Sequence, residues 1–244
     1  MERIVINEIL KTKLEEILKS CSDYNNFSSS LKAYDYAELL NSIITVCPYC
    51  NIESIETIRK KDGTKGERAD FDHFIRKNNT TENDLSCTNL VPSCKKCNSS
   101  YKGAKNLSNE IINPFLEDFD TSAEFSLDVT KNSLEHLSES KILLKTTSNN
   151  ESLKQKASKT IEIFNLINRY NSDTAKKDLE TFLNNLELYP EIKQKEINKL
   201  VNAEKNILKY FDEMENIEIN KNRYGKLKKD IIKRYLKRSE YDNF

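Results

Sequence analysis

The sequence predicts an α+β protein, with helices towards both ends of the chain and short strands between them. Apolar residues recur at helical spacing over residues 1–20, over about 31–44 and over four segments after residue 152. Residues 67–73, 123–129 and 141–147 instead have the pattern of extended segments. With 244 residues, of which 37% are apolar, the chain is long enough to bury a core in one large domain or two small ones.

Three regions divide the chain in this prediction. Residues 1–44 form the N-terminal helices, residues 45–147 a central core with a following hairpin, and residues 148–244 a C-terminal helical domain. The polar stretch 148–152 marks the second boundary, and the serines and asparagines of residues 22–30 separate the N-terminal helices. The C-terminal helices are expected at about 153–170, 173–188, 191–213 and 222–239.

Two cysteine pairs lie in the central region, Cys47-Pro48-Tyr49-Cys50 and Cys94-Lys95-Lys96-Cys97. A two-residue gap lets the chain turn so that both sulfurs of a pair face one ion, and two pairs supply the four thiolates of a tetrahedral zinc site. We therefore predict a structural zinc ion held by Cys47, Cys50, Cys94 and Cys97. The alternative is that the four cysteines are unrelated. Their paired spacing would then have no physical explanation.

The remaining sequence features favour a cytoplasmic protein that does not associate with membranes. Residues 1–6 lack the long apolar core of a signal peptide, and no apolar run approaches the roughly eighteen residues of a membrane span. In a reducing compartment, thiolates are held by metal rather than oxidised. Cys21 and Cys87, outside the two pairs, are expected to be small, partly buried side chains.

The segment between the cysteine pairs predicts structure of its own. Asp62-Gly63 lies between the apolar positions of residues 52–58 and the extended residues 67–73, which is a hairpin pattern. Residues 75–93 are polar and lack periodicity, so we expect a long loop there. The spacing of residues 95–105 suits a short helix with Gly103 near its end.

Residues on this segment resemble a known family. Asp72-His73, then Asn89-Leu90-Val91-Pro92, then Cys94-x-x-Cys97-Asn98 occur in the order found in HNH endonucleases whose four cysteines bind structural zinc. Lys102 follows Asn98 by four residues, and the resemblance covers about residues 43–105. It implies a ββα-metal (HNH) core and hydrolysis of DNA phosphodiester bonds.

The resemblance also implies a role for each site residue. His73 would be the general base, Asp72 and Asn98 the ligands of a catalytic Mg²⁺ or Mn²⁺, and Asn89 a residue that ties the loop to the hairpin and holds His73 in line. Because Asn98 follows Cys97, structural zinc would fix its direction. Side chains expected to contact DNA phosphates are Lys102, Arg76, Lys95 and Lys96. Arg76 stands where the family often has proline.

The order of the regions, helical lead-in, zinc-bearing core and helical tail, also resembles the HNH nuclease subunit of Septu anti-phage systems. That resemblance implies a defence function with an ABC-type ATPase as partner protein. Formal net charge is zero, so overall charge predicts no partner, although residues 221–238 carry nine Lys or Arg against one acid, Asp230. This basic stretch is equally compatible with phosphate contacts and with an ordinary solvated face.

Two alternatives stay open. A zinc-bound module that binds nucleic acid or protein without catalysis would keep the four cysteines but would not need Asp72, His73 and Asn98. An HNH nuclease directed at RNA would have the same core, since both nucleic acids present the same phosphodiester.

Overall fold

The computed structural model describes residues 1–75, 85–128, 140–187 and 217–241. It combines helices with two small two-stranded sheets, which confirms the predicted α+β class. The predicted helix at 191–213 and the predicted phosphate contact Arg76 lie outside the described residues.

Three helices form the N-terminal region: α1 (Glu8–Lys19), α2 (Tyr24–Ser29) and α3 (Lys32–Asn41). Helix α1 begins later than predicted because Asn7 caps it, accepting a 2.8 Å hydrogen bond from the backbone N–H of Leu10. The expectation that residues 22–30 only break the helices was wrong, since α2 lies within them. Asp23 caps α2, and its Phe27 is fully buried.

Strand β1 (Asp70–His73) pairs antiparallel with β2 (Leu90–Ser93). In this register Asp72 lies opposite Val91 and His73 opposite Leu90. The prediction of a loop throughout residues 75–93 was therefore wrong for β2. The hairpin expected around Asp62-Gly63 is limited to one bridge between Ile58 and Glu67, although Gly63 does adopt the positive φ of a turn, +75°.

A helix of π type, Lys96–Lys102, follows β2 directly. We call it the knuckle helix, because the second cysteine pair lies at its start. Its last turn is closed by a 2.8 Å hydrogen bond from the Gly103 N–H to the Asn98 carbonyl. Gly103 has a φ of +55°, which ends the helix at the predicted place.

The second sheet confirms the predicted hairpin after the core. Strands β3 (Ala123–Asp128) and β4 (Lys141–Thr146) pair antiparallel, with Phe125 opposite Leu144. Beyond them lie α4 (Glu151–Ile163), α5 (Leu166–Tyr170), α6 (Asp173–Glu187) and α7 (Gly225–Tyr241). The single helix predicted at 153–170 is interrupted at Asn165, whose φ of +49° is left-handed.

Buried apolar side chains from the N-terminal, central and C-terminal regions belong to one hydrophobic cluster. Phe27, Tyr36 and Phe71 form an aromatic group behind β1, with ring centroids 5.2–5.4 Å apart. Elsewhere in the same cluster, Phe164 stacks on Tyr49 with centroids 4.6 Å apart. The C-terminal helices therefore pack against the cysteine-bearing segment.

The described part of the basic stretch near the C-terminus is largely engaged within the protein. Lys226 is 1% exposed and bonds Asp230 at 2.8 Å and Asp120 at 2.9 Å. Lys228 and Lys229 also form ion pairs with acids from other parts of the chain. These ammonium groups anchor α7 to the core. Among the described residues, no helix is long and apolar enough to cross a membrane.

Candidate metal centre and active site

The four predicted ligand cysteines converge in the structure. The sulfurs of Cys47, Cys50, Cys94 and Cys97 all lie within 4.8 Å of one another, and all four residues are buried. Each pair is closed by a backbone hydrogen bond from the following asparagine: Asn51 N–H to the Cys47 carbonyl at 2.7 Å, and Asn98 N–H to the Cys94 carbonyl at 3.0 Å. The two turns thus bring four potential ligands to one point.

This cluster fits a tetrahedral metal ion. Zinc–sulfur bonds of ~2.3 Å place the sulfurs of a Cys₄ site about 3.8 Å apart, within the observed spread. The Cys97 N–H also points at the Cys94 sulfur, at 3.4 Å, as suits a thiolate ligand. The chain therefore has a cysteine cluster able to hold a metal ion.

The four thiols of the cluster strongly affect one another's protonation. Burial raises the pKa of the Cys47 thiol well above its ordinary value, an effect that its sulfur neighbours increase. Burial also acts on Cys50, but hydrogen bonds from the other three thiols, with the charge of Arg169, lower its pKa well below the ordinary value. A divalent ion would bind all four of them as thiolates.

Arg169 links the C-terminal helices to this cluster. Its guanidinium donates a hydrogen bond to the Cys97 sulfur at 3.3 Å and lies over the ring of Tyr101, 5.1 Å from the centroid. The next residue, Tyr170, donates from its hydroxyl to the Cys50 carbonyl at 2.8 Å. Helix α5 therefore contacts both cysteine pairs.

Asp72 lies inside the protein, with 4% of its surface exposed. One carboxylate oxygen accepts a 2.6 Å hydrogen bond from the Tyr49 hydroxyl, and the other accepts a 2.8 Å bond from the Lys102 ammonium. Lys102 is itself only 3% exposed and also donates to the His73 carbonyl at 2.9 Å. The structure places the ammonium that was expected to meet a phosphate in this buried ion pair instead.

His73 is partly exposed at the end of β1. The ring of Tyr24 meets it edge-on, with centroids 4.4 Å apart and an interplanar angle of 66°. The Tyr24 hydroxyl donates to the Phe71 carbonyl at 3.0 Å, and burial raises the pKa of this phenol, which keeps it a donor at neutral pH. Helix α2 thus contacts one side of the imidazole ring.

Asn89 bonds the chain where it leaves β1. Its side-chain oxygen accepts from the Ile75 N–H at 2.7 Å, and its amide nitrogen donates to the Ile75 carbonyl at 3.3 Å. Its own carbonyl accepts from the Phe74 N–H at 2.9 Å. These three bonds hold the two residues after His73 against the start of β2.

Asn98 contacts Asp70, the aspartate two residues before Asp72. Its amide nitrogen lies 3.4 Å from a carboxylate oxygen of Asp70, which shares a face of β1 with Asp72. Both Asp70 and Asn98 are partly exposed. Lys95 and Lys96 are exposed at the start of the knuckle helix, and Lys96 pairs with Glu53 at 2.7 Å.

Sequence reasoning missed four residues that contact the site: Tyr49, Asp70, Tyr24 and Arg169. Two had a local signal, because Tyr49 lies within the first cysteine pair and Asp70 precedes Asp72 by the two-residue period of a strand. Tyr24 and Arg169 approach from distant parts of the chain, and no local pattern marks such contacts.

Similarity to known proteins covers only part of the chain. No protein-family model matches the sequence, and no solved structure matches the chain. Among curated proteins, protein ea31 of Escherichia phage lambda is 26% identical over 117 residues. That alignment covers 47% of this chain and 34% of the phage protein, so the chain spans about a third of the relative's length.

Proposed function

We propose that this protein is an HNH endonuclease that hydrolyses DNA with the help of a divalent cation. The observation that supports this best is the arrangement of β1, β2 and the knuckle helix. His73 lies at the open end of β1, and Asn98 lies next to an aspartate of the same strand. The four-cysteine cluster lies at the base of the helix. A module that only binds zinc has no need of this group of polar side chains.

His73 is the general base of the proposed reaction. An imidazole titrates near physiological pH, and its neutral form can accept a proton from the attacking water. Partial exposure gives that water access, while the edge of Tyr24 restricts rotation of the ring. The hydrogen bonds between Asn89 and Ile75 hold the chain just beyond His73, which fixes the direction of the imidazole.

Asp72 is the proposed cation ligand together with Asn98, and to bind the ion it would exchange the Lys102 ammonium for the cation. Both of its oxygens already accept strong hydrogen bonds, one of them from a buried ammonium. The cation itself, Mg²⁺ or Mn²⁺, would neutralise charge on the scissile phosphate and the leaving oxygen. The amide nitrogen of Asn98 lies 3.4 Å from a carboxylate oxygen of Asp70, so the amide would turn over to present its oxygen to the cation.

Structural zinc in the four-cysteine cluster would hold the knuckle helix in place. Asn98 follows Cys97, so fixing the sulfur also fixes the backbone from which the amide projects. The exposed Lys95 and Lys96 at the start of this helix are placed for phosphate contact, with Lys96 exchanging Glu53 for the ligand. Lys102, in contrast, is buried, so its ammonium does not face solvent.

A partner protein would restrain this activity in the cell, where unselective cutting of DNA is harmful. The proposal of an anti-phage system with an ABC-type ATPase is supported by the order of the regions along the chain. Lys226, Lys228 and Lys229 of α7 are engaged by acids within the protein, so these three offer little free charge for DNA.

The test is cleavage of supercoiled plasmid by zinc-loaded protein with Mg²⁺ or Mn²⁺, run beside His73→Ala of equal zinc content. We expect nicking that requires the cation and is lost in the variant. Thr12→Ala, on the exposed face of α1, is the matched control and should cleave like the wild type. Equal cleavage by His73→Ala would overturn the assignment, and cleavage of RNA alone would change the substrate.

A further inference from the structure

We propose that the loop of residues 58–67 is a DNA-contacting element, in which the ammonium groups of Lys60 and Lys61 bind phosphates of the duplex beside the scissile bond. We call these residues the basic loop. The inference rests on the proposed nuclease function, which supplies the polyanionic partner. Residues 59–68 carry more cations than acids, namely Arg59, Lys60, Lys61, Lys65 and Arg68 against Asp62 and Glu67.

The base of the basic loop is fixed to the fold. Ile58 and Glu67 form a bridge, with N–H to carbonyl hydrogen bonds of 2.9 and 2.8 Å in the two directions. The guanidinium of Arg59 pairs with two acids of helix α3, at 2.5 and 2.6 Å. Position 66 requires glycine, because a Cβ on Gly66 would lie 1.9 Å from the Ile58 carbonyl oxygen. A base held in this way lowers the entropy cost when the tip binds a ligand.

The tip of the basic loop presents positive charge to solvent. Lys60 and Lys61 are exposed, and within the described residues no acid pairs with either of them. The acid at the tip, Asp62, accepts instead from the N–H of Thr64 at 3.0 Å and from its hydroxyl at 2.6 Å. These bonds hold the pKa of the Asp62 carboxyl below its ordinary value, so at neutral pH it caps the turn as a carboxylate. The turn therefore offers two ammonium groups to an outside anion.

The chain passes from the basic loop into β1 on the strand face that carries His73. Side chains two residues apart point to the same face of a strand, so Phe71 and His73 share one face. The guanidinium of Arg68 lies over the ring of Phe71, 5.2 Å from its centroid. Arg68, the first cation after the basic loop, therefore lies on the same side of the strand as the proposed general base.

Helix α2 spans the distance between the basic loop and the imidazole. At one end of this helix the Tyr24 ring contacts His73, and at the other end the Ser29 carbonyl accepts from the Lys65 ammonium. Its six residues rise by ~1.5 Å each, so with the side-chain contacts at both ends Lys65 lies on the order of 20 Å from His73. One turn of B-DNA is longer, about 34 Å. A duplex whose scissile phosphate is at His73 can therefore contact the basic loop within the same turn.

The test is the salt dependence of binding to a fluorescein-labelled DNA duplex, measured by fluorescence anisotropy. The parent protein is zinc-loaded His73→Ala without Mg²⁺ or Mn²⁺, so that no strand is cut. Lys60→Gln/Lys61→Gln should weaken binding and reduce the slope of log affinity against log salt concentration by about 2, one for each phosphate contact. Lys60→Arg/Lys61→Arg keeps both charges and should retain the parent slope. Lys141→Gln/Lys145→Gln, which removes two exposed lysines of β4, is the matched control and should also retain it.

The assignment is overturned if the glutamine variant keeps the parent slope, if the β4 control loses as much, or if the parent does not bind the duplex at low salt. The substituted lysines are all exposed, so each variant should keep the urea midpoint of the parent. Failure of the nuclease proposal gives a different result. The duplex would then bind through the basic loop, but the wild type with Mg²⁺ or Mn²⁺ would not cleave plasmid.

Discussion

The hydroxyl of Tyr49 donates a 2.6 Å hydrogen bond to the carboxylate of Asp72 and so joins the first cysteine pair to strand β1. Tyr49 stands between Cys47 and Cys50, and its ring stacks on Phe164 at an interplanar angle of 16°. Burial and the neighbouring carboxylate raise the pKa of this phenol well above its ordinary value, so it remains a donor. Formation of the metal centre and placement of β1 are therefore coupled.

Replacing Tyr49 with Phe tests this coupling. The ring and its stack on Phe164 remain, but Asp72 loses one donor in the interior. We expect the free energy of unfolding to fall by about 1–3 kcal/mol, the cost of leaving a buried acceptor unsatisfied. Urea denaturation of zinc-loaded protein, with metal content measured in parallel, provides the value. An unchanged free energy would show that the bond contributes nothing.

Replacing Cys94 with Ser tests the metal cluster. Three sulfurs remain, and because metal binding in such sites is part of the folding free energy, we expect zinc loss and a large drop in Tm. Cys21→Ser is the matched control, since Cys21 lies outside the cluster and only donates weakly to the Ile17 carbonyl at 3.5 Å. Full zinc content and an unchanged Tm in Cys94→Ser would contradict the assignment of the four ligands.

Arg169→Met tests whether the C-terminal helices protect the metal. The variant keeps the length of the side chain but removes the hydrogen bond to the Cys97 sulfur and a positive charge next to the thiolates. Hydrogen bonds to charged groups contribute about 1.5–3 kcal/mol, so zinc transfer to a chelator should be at least about tenfold faster. Lys159→Met, which loses an exposed pair on α4, is the control. Equal transfer rates in the two variants would argue against this role.

The sequence predicted the features that depend on neighbours in the chain. The two-residue gap of each cysteine pair brings its own two sulfurs together, and the meeting of the two pairs was predicted from the four ligands that zinc requires. The turn at Gly63 and the helix end at Gly103 also formed where local residue types indicated. Hairpin β3–β4 followed from two extended segments in sequence.

Features that depend on distant residues were not predictable in this way. The strand β2 is four residues long and contains Pro92, so it lacks any periodic pattern, yet it is wholly buried against β1. The Asp62-Gly63 signal correctly marks a turn, but β1 pairs with β2 rather than across that turn. The ion pair between Lys102 and Asp72 was not predicted, for the same reason: only the fold brings the two side chains together.

Asn89→Ala tests whether the side chain of Asn89 fixes the backbone that follows β1. Both side-chain bonds to Ile75 are lost, and the imidazole of His73 is then less well aimed. Misplacement of a reacting group by about 1 Å costs on the order of 10²-fold in rate, so kcat for plasmid cleavage should fall by a comparable factor. Thr88→Ala, a neighbouring exposed change, is the control. A variant that is less stable but cleaves at the normal rate would restrict Asn89 to a structural role.

Tyr24→Ala tests whether α2 fixes the imidazole of His73. The Tyr24 ring, whose centroid lies 4.4 Å from that of the imidazole, shifts the resonances of the imidazole ring protons, so these should move towards unperturbed values when the ring is removed. Tyr24→Phe keeps the ring and loses only the bond to the Phe71 carbonyl, so its His73 resonances should stay near those of the wild type. The chain has two histidines, and His136→Gln assigns the spectrum. If the alanine variant left the His73 resonances in place, the contact would not persist in solution, and alignment of the proposed base would depend on Asn89 and the Asp72–Lys102 pair alone.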